Sequence, residues 1–340
     1  MAHKAIIHDG HDWLESVTEE ILEPDRPIID PHHHLWRARG AGDYLLPELW
    51  RDTGSGHNIR QTVFIECHAE YRDHGPSHLR PVGETEFVAA IAAASRQDDS
   101  QATITGIVAH ADLRLPLAQL DAVLDAHEVA SEGLFRGIRH AGACEDNPEF
   151  LLIKPRQPKG LYQDPDFRRG LAHLGKRGLS YDTWHYHHQN RDFLELARAV
   201  PETTMVLDHF GTPLGVGPYA GRRQEIFSQW REDIAEIARC PNVYAKLGGL
   251  AMPDNGFGWN LRVTPPGSDE FVSAQQDYYH HTLDCFGADR CMFESNFPVD
   301  KWSLSYHVVW NGFKKLAANY SEDEKSRLFY HTAAEVYRLT

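Results

Sequence analysis

The sequence predicts an α/β protein: a single closed (β/α)8 barrel of the TIM type, residues 28–340, preceded by an N-terminal arm, residues 1–27. Three observations lead there. Short apolar runs alternate eight times with longer stretches of helical periodicity, the mark of a parallel sheet wrapped by helices. A length of 340 residues holds eight such units as one domain. Six of the runs end in histidine, and a barrel carries its chemistry at the carboxyl ends of its strands.

The arm reads as a short acidic helix near Asp12–Leu22, capped by Asp9 or Asp12 and ended before Pro24. The first strand is Ile28-Ile29-Asp30-Pro31, running into His32-His33-His34-Leu35-Trp36. Side chains at i and i+2 of an extended chain share a face, so His32 and His34 point together and His33 points away. Two adjacent neutral imidazoles can share one divalent cation; the alternative is a polar strand end that binds nothing. Arg37–Asn58, rich in Gly and Pro, reads as a long loop. The later strands are expected at Gln61–Cys67, Ile104–His110, Phe135–His140, Leu179–His185, Thr204–His209, Val243–Leu247 and Cys291–Asn296. Helices are expected at Thr85–Arg96, Leu117–Val129, Asp166–Lys176, Arg191–Val200, Gln224–Arg239 and Ser273–Phe286. A doubly wound open sheet is the competing architecture. It requires a Gly-rich phosphate turn after its first strand, where this chain has Asp-Pro-His-His-His.

Composition narrows the function. With 34 Lys+Arg against 49 Asp+Glu, the net charge of -15 argues against a nucleic-acid or anionic-membrane surface. Five scattered cysteines with no Cys-x-x-Cys pair fit reduced thiols in a cytoplasmic protein and argue against zinc held by cysteine. No stretch approaches a membrane span. Twenty-two histidines are the outlier. A carboxylate inside an apolar run, as at Glu66, is costly unless it is paired or bound to a metal.

Asp30-Pro-His32-His-His34-Leu-Trp36, Phe135-Arg136-Gly-Ile-Arg139, Val206-Leu-Asp208-His209-Phe-Gly-Thr-Pro213 and Arg290-Cys-Met-Phe-Glu294-Ser-Asn296-Phe-Pro298 occur in that order. Together they resemble the strand-end motifs of the amidohydrolase superfamily, in the branch of the sugar lactonases and the pyrone dicarboxylate lactonase. The resemblance implies a (β/α)8 barrel that hydrolyses a lactone or related ester, with one divalent metal or none. It also implies a Ser-Asp-aromatic-Pro ending on the last strand, whose Asp is a metal ligand or general base. This chain has Asn296 there, and an amide neither takes up a proton at neutral pH nor binds zinc well. Glu294, Glu66 and His209 are the candidates to replace it.

The resulting site has His32, His34 and His185 around one metal, zinc by preference, with a metal-free site as the alternative. His209, Glu294, Asn296 and Glu66 do the catalysis. Asp208 is expected to point away by strand alternation. Arg136, Arg139, Lys246, His68, His110 and Trp184 bind a small substrate, anionic or polyhydroxylated. The basic loop Lys154–Lys159 closes over it. The competing functions are metal-dependent decarboxylation of an aromatic acid and a non-catalytic binding barrel. The reading leaves room for a homo-oligomer.

Overall fold

The computed structural model describes residues 11–39 and 42–339. Eight parallel strands, β1 (Ile28–His33), β2 (Ile59–Ile65), β3 (Thr103–Ala109), β4 (Phe135–Arg139), β5 (Ser180–Thr183), β6 (Met205–Leu207), β7 (Val243–Leu247) and β8 (Cys291–Phe293), pair in sequential order. Beyond β8, His33 bridges Phe297 in parallel fashion, and the His34 N–H donates to the Phe297 carbonyl at 2.8 Å. The sheet thereby closes into a (β/α)8 barrel.

A helix follows each strand: α1 (Leu46–Thr53), α2 (Val82–Ser95), α3 (Leu117–Ala130), α4 (Pro165–Lys176), α5 (Asn190–Ala199), α6 (Arg223–Ile237), α7 (Ser268–Phe286) and α8 (Tyr306–Leu316). Most of the apolar core lies between the sheet and these helices. The barrel interior is a smaller cluster of Ile29, Val63, Ile65, Val108, Val206 and Met292, closed by Ala333, Val336 and Tyr337 of the C-terminal segment.

Two expectations need correction. The expected loop at 37–58 contains a hairpin of Trp36–Arg39 with Gly42–Tyr44, followed by α1. Asp52 of α1 holds it by accepting from the Tyr44 hydroxyl at 2.7 Å and from Lys301 at 2.8 Å. The helix of the arm is only His11–Glu15, and its Asp9 cap lies outside the described residues. It stops because Glu19 is drawn away to accept from the backbone N–H of Ser268 at the start of α7 and from Asn311. Lys314 of α8 donates to the carbonyls of Leu22 and Glu23, holding the same segment against the barrel.

Strands β5, β6 and β8 end two or three residues earlier than expected. Asp208 and Glu294, the first residues beyond β6 and β8, keep the phase of their strands, whereas His209 and Asn296, with φ of 53° and 56°, sit on turns at the barrel mouth where alternation no longer dictates direction.

Candidate active site

Three strands build the floor by the same device. Val206 and Asp208, Tyr244 and Lys246, and Met292 and Glu294 are i, i+2 pairs whose first member packs in the barrel interior. The second member inherits the inward direction one layer higher. Asp208, Lys246 and Glu294 are consequently fully buried. This corrects the expectation for Asp208: the inward phase of β6 belongs to Val206 and Asp208. His209 reaches the same place by another route, because residues 209 and 210 turn into the left-handed region with φ of 53° and 58°.

At the first strand a register shift between Asp30 and His33 sets the histidines apart. His33 faces outward onto the Thr62 hydroxyl, 3.1 Å away. His32 and His34 lie with ring centroids 5.0 Å apart, and His32 is 4.5 Å from His209. Glu294 bridges two of these rings: Oε1 accepts from His209 Nδ1 at 2.7 Å, and Oε2 lies 2.6 Å from His32 Nδ1. His34 Nδ1 donates to the Ile65 carbonyl at 2.8 Å. Holding the Nδ1 side in this way leaves Nε2 as the free lone pair of His34 and His209. Burial keeps the rings neutral, with His209 lowered to about 3 and His32 and His34 well below their ordinary value.

The charges beneath are dense. Lys246 Nζ stands 2.8 Å from Asp182 Oδ2 and 3.3 Å from Asp208 Oδ1, and Tyr337 donates its hydroxyl to Asp182 at 2.5 Å. Arg139 donates through Nε to Glu66 Oε1 at 2.9 Å, and its Nη1 is 3.5 Å from Asp208 Oδ2. Burial raises the Glu66 carboxyl, but the Arg139 guanidinium overrides it and holds the group at about 2. Burial pushes Asp208 up to about 6 and Glu294 up to about 8, against the pull of Lys246.

One atom each from His32, Asp208 and His209 lie within 4.8 Å of one another. Asp208 Oδ1 and Glu294 Oε2 receive no aligned hydrogen bond despite burial. Among the described residues here, three carboxylates, Glu66, Asp182 and Asp208, face two cations, Arg139 and Lys246, while Glu294, held at about 8 by burial, keeps its proton at neutral pH. Neutral imidazoles and an under-satisfied carboxylate amid surplus negative charge are a donor set that fits one divalent cation.

These groups open onto a cavity of about 530 Å³ lined by His34, Glu66, His68, His110, Arg139, Trp184, His209 and Asn296. Its walls are largely apolar, with Trp36, Met252 and Trp302, and the strap Leu152–Gln157 forms part of its lining. Asp254 fixes the strap by accepting from the Leu152 and Ile153 N–H groups at 2.8 and 3.0 Å.

Three sequence assignments are not brought to this cavity. His185, expected beside His32 and His34, is buried with both ring nitrogens committed, Nε2 to Asn190 Oδ1 at 3.0 Å and Nδ1 to Thr183 Oγ1 at 3.0 Å. Arg136 lies near the start of β4, where its guanidinium bonds the carbonyls of Gly133 and Thr105. Lys246 is sealed beneath the floor by its carboxylates and forms no cationic wall. Asn296 does line the cavity, and its amide NH₂ donates to Asp300 Oδ1 at 2.8 Å.

Sequence reasoning missed Asp182, Arg39, Trp36 and Trp302. Asp182 stands two residues before Trp184, in phase with a residue already singled out. Arg39, bonded to the carbonyls of Cys67 and His68, comes from a hairpin that had been read as loop.

A 33% identical uncharacterized protein of Sinorhizobium fredii aligns over 93% of this chain and 99% of its own. An L-fucono-1,5-lactonase of Burkholderia multivorans is 27% identical over 92% of this chain and 96% of its own. A crystal structure of a Burkholderia multivorans amidohydrolase with bound zinc superposes with a TM-score of 0.71 at 25% identity, covering 93% of this chain and all of that one. The amidohydrolase family model matches residues 29–339, from the first strand of the barrel to the segment that plugs its base, and the chain belongs to that family.

Proposed function

We propose that the chain is a hydrolase that opens a lactone or related ester by attack of water at the base of the 530 Å³ cavity. The observation that carries this is Glu294 spanning His32 and His209 through their Nδ1 atoms, a base held by a carboxylate beneath a substrate-sized space. The L-fucono-1,5-lactonase relative supports the substrate class, and the zinc-containing neighbour supports a metal-dependent version of the site.

In the metal-free version of the site His209 presents Nε2 as the group that accepts the proton of the attacking water, and Glu294 holds the Nδ1–H of the ring from its other side. Arg139 keeps Glu66 ionised and, with Lys246, holds Asp208 in place. The aromatic walls exclude bulk water and orient the ring of the substrate. In the metal-dependent version His32, His209 and Asp208 would hold the cation, with His34 at its edge, and His209 Nε2 would be a ligand instead of the base; when bound the ion supplies a polarised carbonyl and a water of lowered pKa. Asn296 has no part as a base, since its NH₂ is given to Asp300.

The experiment is a panel of sugar lactones and pyrone carboxylates followed by proton release. Turnover that falls by about 10²- to 10⁴-fold in His209→Asn supports the reading. Carbon dioxide release from hydroxybenzoates without lactone opening would overturn it.

A further inference from the structure

We propose that Glu66, His68 and His110 form a second divalent-cation site on the wall of the same cavity. The residues follow β2 and β3, on the side away from His209, and one donor atom from each lies within 4.8 Å of the other two. Two further observations point to a ligand. Glu66 Oε2 is buried without a hydrogen-bond partner, in a residue only 2% exposed, and stands 3.5 Å from His68 Nε2. His110 donates Nδ1–H to the Arg139 carbonyl at 3.1 Å, so its Nε2 lone pair is free on the opposite edge of the ring. A backbone carbonyl behind an imidazole is the usual support of a metal-binding histidine. His68 and His110 are partly exposed to the cavity, with ring centroids 5.1 Å apart, which leaves coordination positions for a substrate oxygen.

Arg139 lies between this triad and the first, bonded to Glu66 on one side and Asp208 on the other. Arg156 also lines the cavity nearby. These two cations oppose a metal ion, so the second site is the weaker of the two. It favours an imidazole-binding ion such as zinc, cobalt or nickel. Its role is to bind a carboxylate or hydroxyl oxygen of the substrate across the cavity from the reacting carbonyl. The site stands whether or not the reaction is lactone opening.

The test uses the full chain without a His tag, stripped with chelator and titrated with Co²⁺ alone, followed by elemental analysis and the visible absorption of the bound ion. Two classes of ion are expected in the wild type. His68→Ala and His110→Gln should each weaken the second class by about tenfold or more and leave the first unchanged. His209→Asn should do the reverse. Circular dichroism verifies the fold of each variant, and the conservative His110→Gln serves where His68→Ala does not fold. A single ion controlled by His209 alone, a second ion indifferent to both His68 and His110, or no ion at all would each overturn the second site. The first two leave the lactonase reading untouched, because that reading is decided by turnover.

Discussion

Replacing Lys246 by methionine separates two roles that the residue can have. Its ammonium is fully buried, 2.8 Å from Asp182 and 3.3 Å from Asp208. At an effective dielectric of about 20 those distances correspond to gross attractions of roughly 6 and 5 kcal/mol, most of which is offset by the cost of taking the ions out of water. Methionine fills similar volume, so cavity formation adds little. The dominant effect is Asp182 left buried without a counter-ion and Asp208 left with Arg139 alone, 3.5 Å away, a loss of about 3–5 kcal/mol in stability. Urea unfolding at pH 7 measures it directly. Adding Asp182→Asn to Lys246→Met should recover part of the loss, because one uncompensated charge is removed with the other. If Lys246→Met unfolds within about 0.5 kcal/mol of the wild type and only KM rises, Lys246 binds substrate and the buried-pair account is wrong.

Three further outcomes follow from named contacts. Asn296→Asp puts a carboxylate 2.8 Å from the Asp300 oxygen that now accepts an N–H, and burial already holds Asp300 well above the ordinary range. The new acid must stay protonated in the fold above its unfolded value, so the folded state binds more protons and the penalty, about 2 kcal/mol at pH 7, shrinks toward pH 5; a variant as stable as wild type at pH 8 contradicts this. His57 and His185 are held down at about 3 and His127 at about 4, in each case by burial. The unfolded chain takes up these protons first, so the stability they confer is complete above pH 6.5 and is lost as pH falls toward 3 to 4. Each fully buried ring gives up ~2 kcal/mol by pH 5, and equal urea midpoints at pH 7 and pH 5 would refute the assignment. Asp254→Asn can accept only one of the two strap N–H groups, so hydrogen exchange at Leu152 and Ile153 should speed up about tenfold or more; unchanged exchange means that the strap is held elsewhere.

The sequence alone determined the barrel. Eight apolar runs separated by helical periodicity leave few topologies, because parallel strands joined by helices must bury both faces of the sheet. It also determined which strand ends bring polar groups to the mouth of the barrel, since a histidine or carboxylate at the end of an apolar run costs free energy unless it is paired or bound there. His32, His34, His209 and Glu294 were legible on that ground; for Glu66 the sequence left a partner or a metal open, and the structure pairs it with Arg139.

Only the tertiary structure decided which of these groups meet. Asp208 was misplaced because the inward phase of a three-residue strand is set by its neighbours in the barrel. His185 looked equivalent to His209, yet the chain after β5 turns it onto Asn190 and Thr183. Arg136 and Arg139 are three residues apart in one motif, and their guanidiniums lie at different levels of the barrel. Lys246 shows the same limit: sequence places a cation at a strand end, but whether it faces substrate or is sealed by Asp182 depends on a carboxylate from a different strand. Local pattern fixes direction along one strand, and the partner across the barrel is a long-range fact that no single strand encodes.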